Sequence, residues 1–328
     1  MTMKISKTHF LALFLGILVF ITSCSDSLSD TTDGRLRYWI STLSSDEFEG
    51  RAPGTEGGKL TKNFLSKTFQ DLDLEPVNGS YFLDVPTSEI TLKDSSYLTF
   101  SFRGNDKKMI EGKDVVFWTK QAREYRKVRN SAVVFVGYGI VAPEYNWNDY
   151  EGVDVRGKTV VILVNDPGFA TGKLRLFNGK SMTYYGRWTY KFEEAARQGA
   201  AAAIVIHEEE PAGYPWSVVE NSWQGPQLDL QRDNLGNDRV VLEGWIKDST
   251  LNDVLNFTGF NYDALKEIAL EKTFSAFALR GLTLNSEIHN KVRYLQSHNI
   301  AAIKKGTSQS DEYILFMAHW DHIGLIDG

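Results

Sequence analysis

His319, Asp321 and His322 carry the clearest chemistry in this 328-residue sequence. They stand in Ala318-His-Trp-Asp-His-Ile-Gly324, directly after the apolar run Tyr313-Ile-Leu-Phe-Met-Ala318. That run, entered from the polar residues 308–312, predicts a strand buried on both faces. In extended backbone, residues two apart project to the same side, so the His319 imidazole and the Asp321 carboxylate can point together. One ring nitrogen can then bind a metal ion while a carboxylate accepts the N–H of the other and fixes the tautomer. Open sheets with parallel strands place such groups at the carboxyl ends of strands, where ligands bind. A satisfied structural histidine at a strand end is the plainer alternative. Catalytic zinc takes about three protein ligands, so His319 is one part of a site and not the whole of it.

Other candidates are weaker. His207-Glu-Glu-Glu-Pro211 has no second histidine four residues on, and Pro211 stands in that place, which excludes a zinc-protease helix and leaves a solvated acidic strand end. His298 lies inside a strand pattern and reads as a packed or hydrogen-bonded histidine. The aromatic stretch 145–150 reads as a loop anchored by its rings. The sequence contains no phosphate-binding Gly-x-x-x-x-Gly-Lys, no nucleophile elbow and no dinucleotide fingerprint.

The elements that must position these residues follow from pattern. Residues 35–43 can start a helix. Pro53-Gly54 and Gly57-Gly58 mark a defined turn. Leu60, Phe64, Leu65, Phe69 and Leu72 then recur at helical spacing. Short strands dominate from residue 81 to about 241: 97–102 with a turn at 103–106, 115–118, 132–136, 159–164 and 200–206. One helix interrupts at 187–198, with Trp188, Phe192, Ala195 and Ala196 on one face and Gly199 as its stop. Residues 250–270 turn helical in two pieces around Gly259, and 284–305 read as two strands or one bent strand.

A net charge of -6 and the absence of a clustered basic face exclude a nucleic-acid surface. The single cysteine, Cys24, excludes an intramolecular disulfide and a cysteine zinc finger. Lys4 and Lys7 precede an apolar stretch over residues 10–21 that is short for a bilayer span. Ile21-Thr-Ser-Cys24 then resembles the lipobox of a bacterial lipoprotein. That resemblance implies a signal peptide over 1–23, a lipid on Cys24, a tether over 24–34, and an exported protein anchored in the periplasm or at the cell surface.

Taken in order, three motifs resemble the co-catalytic zinc exopeptidases of the aminopeptidase Y and glutamate carboxypeptidase family. They are Ser44-Ser-Asp-Glu-Phe-Glu-Gly-Arg-Ala-Pro-Gly-Thr-Glu-Gly-Gly58, then Ser297-His-Asn-Ile300 with Asp311-Glu-Tyr313, then Ala318-His-Trp-Asp-His-Ile-Gly324. The middle of the chain is similar to the protease-associated domain that many members carry as an insert, through Val136-Gly-Tyr-Gly-Ile140, Gly157-Lys-Thr-Val-Val161 and the unit over 191–203. The resemblance implies an α/β fold, a mixed-sheet sandwich with a β-rich insert. It divides the chain into 35–85 and 281–328 as peptidase segments and 86–280 as insert and connecting helices. It implies hydrolysis of terminal peptide bonds of a peptide or protein substrate by a water activated between two zinc ions, with a glutamate as general base. His319 matches the first zinc ligand and Asp321 the carboxylate that orients it; His322 has no assigned role. The family's bridging Asp, its Glu pair, its further acidic ligand and its second His all follow this motif. The chain therefore reads as the N-terminal portion of such an enzyme, inactive by itself, with at most a partial zinc site. The competing reading is a lipid-anchored module that binds peptides without cleaving them.

Overall fold

The computed structural model describes residues 32–309 and 311–325. The leader, Cys24 and most of the tether lie outside the described residues. Among the described residues no helix is long and apolar enough to cross a membrane. The chain divides into two compact units, one of residues 1–85 with 297–328, the other of residues 86–296.

The first unit opens with helix α1, Thr32–Leu43, which buries none of its residues. A 3-10 turn over Asp46–Arg51 leads into helix α2, Glu56–Asp71. The Thr55 hydroxyl caps α2 by accepting from the Gly58 N–H at 3.2 Å. The apolar spacing of α2 predicts Leu60, Phe64, Leu65 and Phe69 as its buried face, yet these stay half-buried. The helix instead buries Gly57, Gly58, Thr61 and Ser66. Small residues win because the 3-10 turn lies directly against the first turn of α2. A Cβ on Gly57 would come within 2.0 Å of the Phe48 carbonyl oxygen, and one on Gly58 within 2.2 Å of that of Ala52. Beyond α2, Glu75 and Pro76 pair antiparallel with Ile303 and Ala302.

One expectation fails here. Residues 313–318 form no strand and are not buried: Ile314 is 87% and Phe316 90% exposed. Strands are completed by hydrogen bonds from a neighbour, and no described residue pairs with this run. His319 consequently does not stand at a strand end in this structure.

The second unit is built on a ten-stranded mixed sheet. Its strands are β1 (Phe82–Leu92), β2 (Tyr97–Phe102), β3 (Asn105–Lys108), β4 (Val115–Trp118), β5 (Tyr125–Phe135), β6 (Thr159–Leu163), β7 (Ala202–His207), β8 (Pro226–Leu230), β9 (Leu242–Lys247) and β10 (Phe277–Ile300). The order is β8-β1-β10-β5-β6-β7-β9-β4, with β2 paired to β10 and β3 to β2. β5, β6, β7 and β9 run parallel, and β4 and β10 flank them antiparallel. The fold is thus α/β around a mixed sheet. β1 and β10 cross the division between the units, so residues 281–296 of β10 belong to the second.

The parallel strands read as unbroken apolar runs because both faces are covered. Val133, Phe135, Val161, Leu163, Ile204 and Ile206 enter one core, with Leu251 and Val254 of helix α4 and Leu265 of α5. Val134, Val160, Ile162, Ala203 and Val205 enter the other, with Phe192 and Ala195 of helix α3. These helices span Trp188–Arg197 (α3), Asp248–Asn256 (α4) and Tyr262–Ile268 (α5). Gly199, at φ +79°, stops the turn after α3.

Candidate functional site

In the first unit, three stretches far apart in sequence meet. The 3-10 turn leaves Glu49, Gly50 and Arg51 in left-handed backbone, at φ 47°, 65° and 58°. For the two non-glycine residues that conformation costs roughly 1 kcal/mol or more each. Main-chain and side-chain bonds hold it in place. The Arg51 carbonyl accepts from the His322 N–H at 3.3 Å, and the Gly50 carbonyl from the Gly324 N–H at 3.2 Å. Arg51 Nε donates to the Trp320 carbonyl at 3.0 Å, while its Nη1 donates to the Leu43 carbonyl. The contact at Gly50 admits no side chain, since a Cβ there would sit 2.9 Å from the Gly324 oxygen.

Trp320 joins the third stretch by donating its indole N–H to the His298 carbonyl at 3.0 Å. The His298 ring is fully engaged: Nδ1 lies 2.9 Å from Lys62 Nζ, Nε2 lies 3.4 Å from Asp84 Oδ1, and Phe82 packs edge-on. An ammonium can only donate, so Nδ1 is the acceptor and Nε2 carries the proton toward Asp84. Burial and the Lys62 charge push the His298 pKa down. His298 is therefore a hydrogen-bonded neutral histidine, occupied at both nitrogens.

His319 is exposed. Its Nδ1 lies 2.7 Å from the Asp321 main-chain carbonyl and 3.6 Å from Asp321 Oδ1. The nearer acceptor is the carbonyl, where sequence reasoning expects the carboxylate. Either acceptor leaves Nε2 as the lone pair available to a ligand. His322 turns its Nδ1 back to accept from the Ile323 N–H at 2.8 Å. The arrangement fits one imidazole ligand to zinc. It does not fit a whole site, because among the described residues no group of three or more His, Cys, Asp or Glu is placed to hold a metal ion.

The second unit corrects the reading of His207 and reveals a residue that sequence reasoning passed over. His207 itself is buried, while Glu209 and Glu210 beyond the strand end are exposed, as the sequence predicts. The His207 Nε2 donates to the Tyr214 carbonyl at 3.0 Å, and its ring packs against Trp216 and Trp245. Lys191, wholly buried, donates from Nζ to the carbonyls of Tyr138 at 2.7 Å and Asn165 at 2.8 Å. Burial pulls its pKa down while the charges of Asp149 and Asp166 oppose that shift. Both carboxylates are buried and bonded: Asp149 accepts from the Ile140 N–H and the Trp147 indole, Asp166 from the N–H groups of Gly168, Phe169 and Thr183 and the Thr183 hydroxyl. The signal was in the spacing. Trp188, Lys191, Phe192 and Ala195 fall at i, i+3, i+4 and i+7, so Lys191 stands within the apolar stripe of its helix.

A mixed α/β fold with one exposed imidazole oriented by its neighbour is what fold and site define together. No protein-family model matches the chain, and no curated protein matches it. Among solved structures, the chain is similar to an aminopeptidase from Aneurinibacillus sp. strain AM-1, at 18% identity over 87% of this chain and 51% of that one, with a TM-score of 0.41. It is also similar to BSAP, a zinc aminopeptidase from Bacillus subtilis, at 18% identity over 82% of this chain and 46% of that one, with a TM-score of 0.30. The chain spans about half the length of these structures.

Proposed function

We propose that this chain is the N-terminal portion of a zinc-dependent exopeptidase, most simply an aminopeptidase, that removes terminal residues from peptide or protein substrates. The observation that carries the reading is the convergence in the first unit. The Ser44–Gly58 signature, His298 and the His319–Gly324 motif, which resemble a zinc exopeptidase only as an ordered set, bond to one another through Arg51, Gly50 and Trp320. In this reading His319 is a zinc ligand through Nε2 and Asp321 positions its ring. Two zinc ions, held by His319 together with ligands from outside the described residues, would supply a water nucleophile at neutral pH. The 328-residue chain alone is then inactive. The protein is exported and held to the membrane through a lipid on Cys24.

The test starts in the native cell. The coding sequence is read past Gly328, the intact mass of the native polypeptide is measured, and that polypeptide is assayed for zinc-dependent hydrolysis of leucyl-p-nitroanilide. The reading expects activity that chelators remove and that His319→Ala abolishes. A native polypeptide that hydrolyses nothing with zinc, or keeps full activity in His319→Ala, overturns it. Separately, Cys24→Ser is expected to abolish acyl labelling, and labelling that persists rejects the lipid anchor.

A further inference from the structure

Three of the four parallel strands of the second unit end at a cavity that the exopeptidase reading does not use. Its volume is about 380 Å³, within the range of small-molecule sites. The lining comes from the segments that follow three consecutive parallel strands: Tyr138 after β5, Asn165 and Phe169 after β6, Glu208 after β7. Lys266 and Leu270, in and just after α5, close it. Open α/β sheets bind ligands at these carboxyl ends because the loops there converge around one crevice.

The floor is held rigidly. Lys191 bonds the carbonyls of Tyr138 and Asn165, and so ties the ends of β5 and β6 together. Asn165 sits in left-handed backbone at φ 66°, with its Nδ2 donating to the Pro211 carbonyl at 2.8 Å, which ties β6 to the segment after β7. A buried ammonium and a strained asparagine are expensive ways to build a loop junction. They make sense where the junction must keep its geometry.

The walls carry charges of both signs beside apolar surface. Lys266 Nζ lies 2.7 Å from Glu208 Oε1, both largely shielded, and 4.8 Å above the Tyr262 ring. At the mouth Lys180 lies 3.6 Å from Glu210 and 4.6 Å above the Phe169 ring. A single anion would meet the glutamates, and a single cation the lysines. An α-amino acid carries its ammonium and carboxylate on one carbon, so it presents the inverse of the Lys266–Glu208 pair at matching spacing, with its side chain free for Phe169 and Leu270.

We propose that this cavity binds a small zwitterion, a free α-amino acid with an apolar side chain, with its carboxylate on Lys266 and its ammonium on Glu208. The site lies wholly within the second unit and stands whether or not the exopeptidase reading does.

Titration calorimetry of the full chain with L-leucine tests it, with N-acetyl-L-leucine and L-leucinamide as analogues that each lack one charge. Leucine should bind, and both analogues should bind at least about tenfold more weakly. Lys266→Met and Glu208→Gln should weaken leucine by a similar factor, while Lys272→Met, outside the cavity, leaves it unchanged. Ala170→Trp fills the cavity without touching its charges and should abolish binding in a protein whose circular dichroism and melt stay native; it decides the matter if a charge variant fails to fold. Absence of leucine binding to the folded chain overturns the proposal. So does equal binding of the analogues, or leucine binding that survives Ala170→Trp. Leucine held at a peptidase site instead would survive every cavity variant and respond to His319→Ala.

Discussion

Gly57 shows how sharply a single position can be constrained. Its missing Cβ is what lets the Phe48 carbonyl approach α2. Gly57→Ala must displace backbone, since neither partner is a flexible side-chain end, and overpacking of this kind costs about 1–3 kcal/mol. Urea unfolding of the variant is expected to show a loss of that size, with an unchanged slope. At Lys191 the balance is between charges. Its removal takes away the positive charge that Asp149 and Asp166 feel and leaves the Tyr138 and Asn165 carbonyls without their donor, and each buried acceptor left unsatisfied costs about 1–3 kcal/mol. Lys191→Met should therefore be strongly destabilising. Lys191→Met with Asp149→Asn should recover part of the loss, because the double variant removes a charge of each sign. A double variant as unstable as the sum of the two singles would show that the two groups do not interact.

At the scale of elements, the turn over Asp46–Arg51 depends on the segment it bonds. Gly324 lies at φ 84°, and a Cβ there would come within 2.6 Å of the Ala52 Cβ. Gly324→Val should break the bonds to Gly50 and Arg51, and hydrogen exchange at the Gly324 and His322 amides is expected to rise well above that of the parent chain. Unchanged exchange would mean that the two segments are held by other contacts. The run over 313–317 is an element that fails to form. An apolar strand without a partner presents both its faces and its backbone groups. Ile314→Lys with Phe316→Glu is expected to lower the binding of a hydrophobic dye and raise solubility without changing the melting temperature. A lowered melting temperature would show instead that the run packs in solution.

At the scale of the whole molecule, two histidines give stability a pH dependence. Burial, chiefly, holds the pKa of His207 and of His298 below the ordinary value of 6.5. Well above that value both are neutral, folded or unfolded, and their contribution to stability is complete. As pH falls below about 6.5 the unfolded chain binds protons first, and stability declines until the folded imidazoles protonate too. Burial also raises the Glu111 carboxyl to about 8, which acts in the opposite direction over the same range, so denaturant titrations at stepped pH read the histidine contribution as the difference between the parent chain and a histidine variant. His207→Asn should flatten part of it, and an identical slope in that variant would remove His207 as a cause.

The sequence by itself determined what depends on near neighbours. The strands at 97–102 and 115–118, the helix stopped at Gly199 and the two helical pieces around Gly259 follow from spacing and turn chemistry, which act over a few residues, while the α/β class was implied by the resemblance of the three motifs. The candidate His319 and Asp321 were likewise legible as a pair. What only the tertiary structure decided depends on partners distant in the chain. Residues 313–318 look like a buried strand by composition, but burial and pairing belong to the neighbour, and no described residue supplies one. α2 buries its glycines and not its phenylalanines because the turn over Asp46–Arg51 needs backbone contact. Lys191 becomes a buried tie, and not a surface charge, because two strand ends offer it carbonyls that no local pattern could announce.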